Sequence, residues 1–177
     1  MKFISFNHDN SEKFGIIENN LITDLTGKID GALSLKELIK IKKIKEAKEY
    51  AKSNPGSIKP DQIQYSPLIP NPGKIICVGL NYSEHVKETN RTVEENPVIF
   101  HRFPESQTAH MQAIQRPTVS ESLDFEGEMA VVMDEGGKHI KPEDALKHIV
   151  GFSCYNESTI REWQRHTRQF GMGKNFE

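Results

Sequence analysis

Asp124-Phe125-Glu126-Gly127-Glu128 runs directly into Met129-Ala130-Val131-Val132-Met133. The second half is an apolar run of the length a buried strand takes, so the spacing predicts a strand over residues 126–133. Side chains on a strand alternate faces, which points Glu126 and Glu128 the same way, roughly 7 Å apart along the backbone. Two like charges leading into an apolar strand are costly. Each raises the other's pKa unless a cation lies between them. The pattern therefore points to a divalent metal, against the plainer alternative of a wet strand end with two exposed acids.

Further strands are expected on both sides of this stretch, at residues 75–78, 98–100 and 148–155. Asp134-Glu135-Gly136-Gly137-Lys138 reads as a hairpin turn, because no helix-opening Lys-Ser/Thr follows to make a phosphate loop. Residues 142–146 read as one or two helical turns. Past the strand that ends near Tyr155, Asn156-Glu157 leads into Ser158-Thr159-Ile160-Arg161-Glu162-Trp163-Gln164-Arg165-His166. Ser158 is the expected cap of a helix there, with Ile160, Trp163 and Thr167 on one face and Arg161, Arg165 and Arg168 on another.

Towards the N-terminus the pattern changes. Strands are expected at residues 2–6, 14–18 and 20–25, with Asn19-Asn20 as a hairpin turn. Ser34 caps a helix, Glu37 completes a capping box, and the helix is expected to run to about residue 52. Its lysines alternate with Glu37, Glu46 and Glu49, the mark of a solvated face rather than a site for an anionic partner. Pro55, Pro60, Pro67, Pro70 and Pro72 then make a connector that resists regular structure. The expected organisation is a small N-terminal domain with its linker over residues 1–69 and a catalytic domain over residues 70–177. No internal repeat is visible.

With 177 residues, a net charge of -2 and 36% hydrophobic residues, the composition is that of an ordinary soluble protein. The near-neutral balance argues against a dedicated nucleic-acid binder. The chain has no apolar run long enough for a membrane and no signal-peptide pattern, so a cytoplasmic location is expected. Cys77 and Cys154 are expected to be buried free thiols of a reducing compartment.

Glu157, where a strand gives way to a helix, is a third candidate carboxylate beside Glu126 and Glu128. An all-oxygen triad favours Mg²⁺ or Mn²⁺, with Ca²⁺ as the alternative, over zinc. Three protein ligands in an octahedron leave about three positions for water and a chelating oxo acid. His85 and Glu88, at i and i+3, meet if their segment is helical, and a histidine oriented by a carboxylate serves as a general base. A surface His–Glu pair is the competing explanation. Arg102, Arg161, Arg165, Arg168 and Lys174 supply positive charge suited to a carboxylate substrate, although each alone is better explained as a solvated surface charge. The other histidines show no ligand spacing. There is no Gly-x-Ser-x-Gly, dinucleotide or Walker loop, or Cys-x-x-Cys.

In this order, the pieces resemble the fumarylacetoacetate hydrolase family. The matching stretches are Lys74-Ile75-Ile76-Cys77-Val78-Gly79-Leu80-Asn81-Tyr82 with His85 and Glu88, and Pro97-Val98-Ile99-Phe100-His101-Arg102-Phe103-Pro104. They continue with Leu123 to Val132, Gly151-Phe152-Ser153-Cys154-Tyr155-Asn156, Arg161-Glu162-Trp163-Gln164 and Gly173-Lys174-Asn175-Phe176. The resemblance implies an α+β protein: a small N-terminal α/β domain, then a mostly β catalytic domain of the β-roll kind. By motif position it implies a metal triad of Glu126, Glu128 and Glu157, the last standing where family members usually carry aspartate. It implies that His85 and Glu88 activate water, on a segment that orders over bound substrate. It places Lys174 at a family lysine near the substrate and Arg102 at a position that is often lysine.

The implied reaction is hydrolytic C–C cleavage of a 2,4-dioxo acid such as an acylpyruvate or fumarylpyruvate, in a homodimer with catabolic function. Oxaloacetate decarboxylation and isomerisation of an unsaturated 2-oxo acid need the same enolate and are the alternatives. A non-catalytic metal-binding remnant is a third. Similar proteins continue well past the Gly-Lys-Asn-Phe motif, so the catalytic domain is expected to be incomplete, with open strand edges and weak or absent turnover by these 177 residues alone.

Overall fold

In the computed structural model, residues 1–84 and 95–176 are described. They divide into two compact units. One gathers residues 1–70, 108–114 and 128–155; the other gathers residues 71–107, 115–127 and 156–177. Each is a mixture of helix and sheet with sheet predominating, the class expected from the sequence.

In the first unit, strands β1 (Lys2–His8), β2 (Ser11–Glu18), β3 (Leu21–Asp24) and β4 (Gln64–Ser66) form one sheet in the order β3-β2-β1-β4. Both hairpins turn on two residues. Asn19 and Asn20 lie between the paired Glu18 and Leu21 with φ of 51° and 61°. Asp9 and Asn10 do the same between His8 and Ser11, with φ of 51° and 57°. Asparagine and aspartate enter this left-handed region more readily than other non-glycine residues, and the resulting turn matches the twist of the strands. Gly15 is required for a different reason: a Cβ there would lie 2.2 Å from the Thr23 carbonyl oxygen on β3.

The helix expected over residues 34–52 is two helices, α1 (Leu35–Lys40) and α2 (Ile44–Ser53). Ser34 caps the first as expected: its hydroxyl accepts from the Glu37 backbone N–H at 3.2 Å, and the Glu37 carboxylate reaches back to the Leu33 N–H at 2.7 Å. The break is a Schellman turn. Lys42 takes φ 59°, its N–H donates to the Ile39 carbonyl, and the Lys43 N–H donates to the Leu38 carbonyl at 3.2 Å. Lysine at the position usually held by glycine hides the stop. Phe14, Ile16, Leu25, Leu35, Leu38 and Ala47 form the core between sheet and helices. The proline-rich connector is more regular than expected: β4 lies between Pro60 and Pro67 and pairs along the β1 edge, Phe6 opposite Tyr65.

Also in this unit, β8 (Gly127–Met133) pairs with β9 (Ile149–Asn156). Their connection is longer than a hairpin turn at residues 134–138. It includes a 3₁₀ segment, Pro142–His148, at the helical turns expected there. Val132 and Val150 pack against the core, whereas Met129, Val131, Met133 and Phe152 face outwards and are exposed. Cys154 lies on that outward alternation and is exposed rather than buried; Cys77 is half-buried, and neither forms a disulfide.

In the second unit, β5 (Ile75–Gly79) pairs antiparallel with β6 (Val98–Arg102), and β7 (Leu123–Asp124) with β10 (Thr159–Ile160). The helix after β10 is shorter than expected. It spans only Arg161–Gln164 (α3), with Ile160 rather than Ser158 at its N-cap, because Thr159 and Ile160 are drawn into pairing with Asp124 and Leu123. Among the described residues no helix is long and apolar enough to cross a membrane.

Candidate active site

The pairing of β7 with β10 brings two of the expected carboxylates together. It continues past the strands through the Glu157 N–H, which donates to the Glu126 carbonyl at 2.8 Å, and the Arg161 N–H, which donates to Ser122. The Glu126 N–H is held in turn by the Asn156 side-chain oxygen at 3.0 Å. Glu126 thus lies just before β8, in an irregular link fixed by its backbone, and does not belong to a continuous strand with Glu128.

Around these two acids lies a network of ion pairs. The Lys174 ammonium donates to Glu126 Oε1 at 3.1 Å and to Glu157 Oε2, so one cation sits between the two carboxylates. Arg102, from the end of β6, donates through Nη1 to Glu157 Oε1 at 2.5 Å and to the Ser158 carbonyl. Arg161, from α3, bonds Asp124 through Nε at 2.8 Å and Glu126 through Nη1 at 2.8 Å. The Thr159 hydroxyl adds a 2.6 Å bond to Glu126 Oε1. Glu157, Lys174 and Arg102 are 4%, 2% and 6% exposed, a depth at which charges persist only when paired.

Burial pushes the Glu157 carboxyl above the usual range, and Lys174 and Arg102 offset that only in part. Burial acts the same way on Glu126, but there the Thr159 hydroxyl, Lys174 and Arg161 outweigh it and hold the carboxyl below the usual range.

Lys174 is delivered by a tight turn. The segment Gly171–Gly173 is 3₁₀, preceded by Phe170 at φ 62°. A Cβ on Gly173 would lie 2.4 Å from the Gln164 nitrogen and 2.5 Å from the Ile160 carbonyl oxygen, both backbone atoms, so only glycine lets this segment lie against α3. Asn175 fastens it to β6: its side-chain oxygen accepts from the Phe103 N–H at 2.8 Å and its amide donates to the His101 carbonyl at 3.2 Å. The Lys174 ammonium also lies 5.0 Å from the centre of the Phe100 ring.

Of the expected site residues, the structure gathers Glu126, Glu157, Lys174, Arg102 and Arg161. Glu128 is the second residue of β8 and belongs to the first unit. His85 and Glu88 lie outside the described residues. Among the described residues no three His, Cys, Asp or Glu side chains form a metal-sized group. The donor chemistry nevertheless fits a hard cation, because two carboxylates already close on one positive charge. Sequence reasoning missed Thr159, Asp124 as the anchor of Arg161, and the clamping role of Asn175. The one signal for the first two was their place in motifs flanking the acids.

A family model described as the fumarylacetoacetate hydrolase C-terminal domain matches residues 74–177. Oxaloacetate tautomerase Fahd2a, mitochondrial, from Rattus norvegicus is 39% identical over 117 residues, 66% of this chain and 37% of that protein. A fumarylacetoacetate hydrolase structure from Exiguobacterium antarcticum superposes with a TM-score of 0.82 at 29% identity, covering 100% of this chain and 62% of its own. A maleylpyruvate hydrolase from Sphingobium, in complex with manganese(II) and pyruvate, shares the fold with a TM-score of 0.76 at 18% identity, over 98% of this chain and 63% of its own. The chain therefore spans less than two thirds of the length of these relatives.

Proposed function

Because the chain belongs to the fumarylacetoacetate hydrolase family, we propose that it serves a divalent-metal-dependent reaction of a 2-oxo acid through its enolate, with oxaloacetate tautomerisation as the leading activity. The observation that carries this reading is the convergence of Glu126 and Glu157 on a single cation in a buried pocket of charge. The relatives named oxaloacetate tautomerases support the choice of substrate. The fold relative held with manganese(II) and pyruvate supports the pairing of a hard cation with an oxo acid.

Glu126 and Glu157, with Glu128 as the expected third ligand, would hold Mg²⁺ or Mn²⁺. When bound, such an ion polarises the 2-oxo group and lowers the energy of the enolate. The chain's own residues do the rest. The Lys174 ammonium, once released from the carboxylates, pairs with a substrate carboxylate or enolate oxygen. The Nε–H of Arg102, without a hydrogen-bond partner among the described residues, offers a second donor in the same buried space. Arg161 and Thr159 fix the Glu126 rotamer, so its oxygens are set before a ligand arrives. His85, with Glu88 as the partner expected from the sequence, is assigned the proton that leaves and returns at C3 of oxaloacetate.

Hydrolytic cleavage of a 2,4-dioxo acid is the second reading. The His85–Glu88 spacing favours it, since the same base can take a proton from attacking water, and so does the likeness to a named fumarylacetoacetate hydrolase. Oxaloacetate decarboxylation draws on the same enolate. The active form is proposed to be a homodimer.

The test presents enol-oxaloacetate, oxaloacetate and an acylpyruvate to the chain with Mn²⁺ and identifies the products. Faster loss of the enol absorbance without release of CO₂ supports tautomerisation. Acetate or pyruvate from the acylpyruvate supports cleavage instead. Metal uptake without any turnover supports the remnant. Glu126→Ala is expected to abolish Mn²⁺ binding; binding that survives it overturns the site assignment.

A further inference from the structure

Among the described residues the ion-paired cluster balances its own charge. Asp124, Glu126 and Glu157 supply three negative charges, and Arg102, Arg161 and Lys174 supply three positive ones, each in contact with a carboxylate. Glu128 aside, a divalent ion added to these six leaves an excess of two positive charges beside Glu157, Lys174 and Arg102, which are buried. Uncompensated buried charge of that kind is strongly unfavourable.

The place between the carboxylates is also already taken. Lys174 Nζ contacts both Glu126 Oε1 and Glu157 Oε2, and an ammonium and a divalent ion cannot both occupy the position between the two carboxylates. Arg102 cannot substitute for it there, because its Nη1 is bound to the other Glu157 oxygen and to the Ser158 carbonyl. Lys174 is the member of the set with a flexible stem, and the Phe100 ring 5.0 Å away offers its ammonium a second favourable neighbour.

We propose that Lys174 is an internal place-holder for the metal, so that the metal enters tightly only together with an anionic ligand that restores the charge balance and receives the displaced ammonium. This rests on the metal-dependent reading above and adds a binding order to it: metal and oxo acid load as a pair, and neither loads well alone. Binding of one strengthens the other by the same factor, as linkage requires.

The test measures protein-bound Mn²⁺ by equilibrium dialysis at matched free Mn²⁺, with and without oxalate as a non-reacting dianion, for the native chain, Lys174→Met and Lys174→Gln. In the native chain oxalate is expected to tighten Mn²⁺ binding about tenfold or more, the size of a typical coupling between ligands. Both variants are expected to bind Mn²⁺ alone more tightly than the native chain, to gain less from oxalate, and to show a larger rise in melting temperature on adding Mn²⁺. A merely structural role for Lys174 would not raise metal affinity. If Lys174→Met does not fold, Lys174→Gln and the native comparison decide. Native Mn²⁺ binding that is unaffected by oxalate, or variants that bind no more tightly, overturns the place-holder and leaves the metal site standing. No uptake of Mn²⁺ by any of the three chains, even with oxalate, overturns the metal-dependent reading itself.

Discussion

Glu157 carries the most concentrated physics in the molecule. At 4% exposure it is surrounded by two cations, and breaking one partner of such a buried pair costs about 3–5 kcal/mol. Glu157→Gln is expected to lower stability by that order, read from urea unfolding, and to weaken Mn²⁺ binding. Glu126 answers differently to pH. Its folded carboxyl titrates below its unfolded value, so the stability it contributes is present above the ordinary glutamate pKa and is lost as pH falls through the lower, folded one. Unfolding midpoints taken from neutral pH down through the carboxylate range should therefore fall more steeply for the native chain than for Glu126→Gln. Parallel curves would mean that Lys174 and Arg161 do not favour the ionised form. Glu126 was legible in the sequence because charge beside an apolar run needs an explanation, and Glu157 because it stands where a strand gives way to a helix. Thr159 was not, since a hydroxyl has no pattern of its own, and the commitment of Arg102 to Glu157 joins residues 55 positions apart.

At the scale of elements, turn chemistry was the more readable part. Asn19-Asn20 announces a two-residue hairpin, and Ser34 with Glu37 announces a helix start, because the mechanism resides in the side chains themselves. Ser34→Ala is expected to cost about 1 kcal/mol, measured as a shift in the denaturation midpoint. The division between α1 and α2 was hidden because Lys42 adopts the left-handed turn that glycine usually marks. Likewise Ser158 looked like a cap, but strand pairing with β7 claims the residues after it. Tertiary pairing overruled local preference there. Gly173 belongs to this scale as well. Gly173→Ala is expected to push the Lys174 segment away from α3, weakening the charged cluster and lowering the melting temperature, while Gly171→Ala, whose Cβ meets nothing among the described residues, is expected to be nearly neutral.

For the whole molecule, the outward faces of the two ribbons matter most. Met129, Val131, Met133 and Phe152 on one, and Ile76, Val78 and Ile99 on the other, are exposed on regular strands. Contiguous apolar strand faces of this kind seek cover. Light scattering coupled to size exclusion should show species above 20.2 kDa for this chain, and Val131→Lys should shift the distribution towards the monomer. A strictly monomeric native chain would contradict that. The alternation that produces these faces was readable from the sequence; the direction in which each face points was not, because both faces of β8 are apolar.

The ties that build the cluster join distant parts of the chain. Arg102 meets Glu157, Glu126 meets Lys174, and Phe103 meets Asn175 72 positions away, whereas the hairpins of β1, β2 and β3 close across two residues. Closing a long loop sacrifices chain entropy before any contact compensates it, so distant pairings form late. During synthesis on the ribosome, the N-terminal meander can take shape while the charged cluster is still unmade. Its assembly must wait until Lys174 has left the exit tunnel, making the site the last feature of these residues to mature.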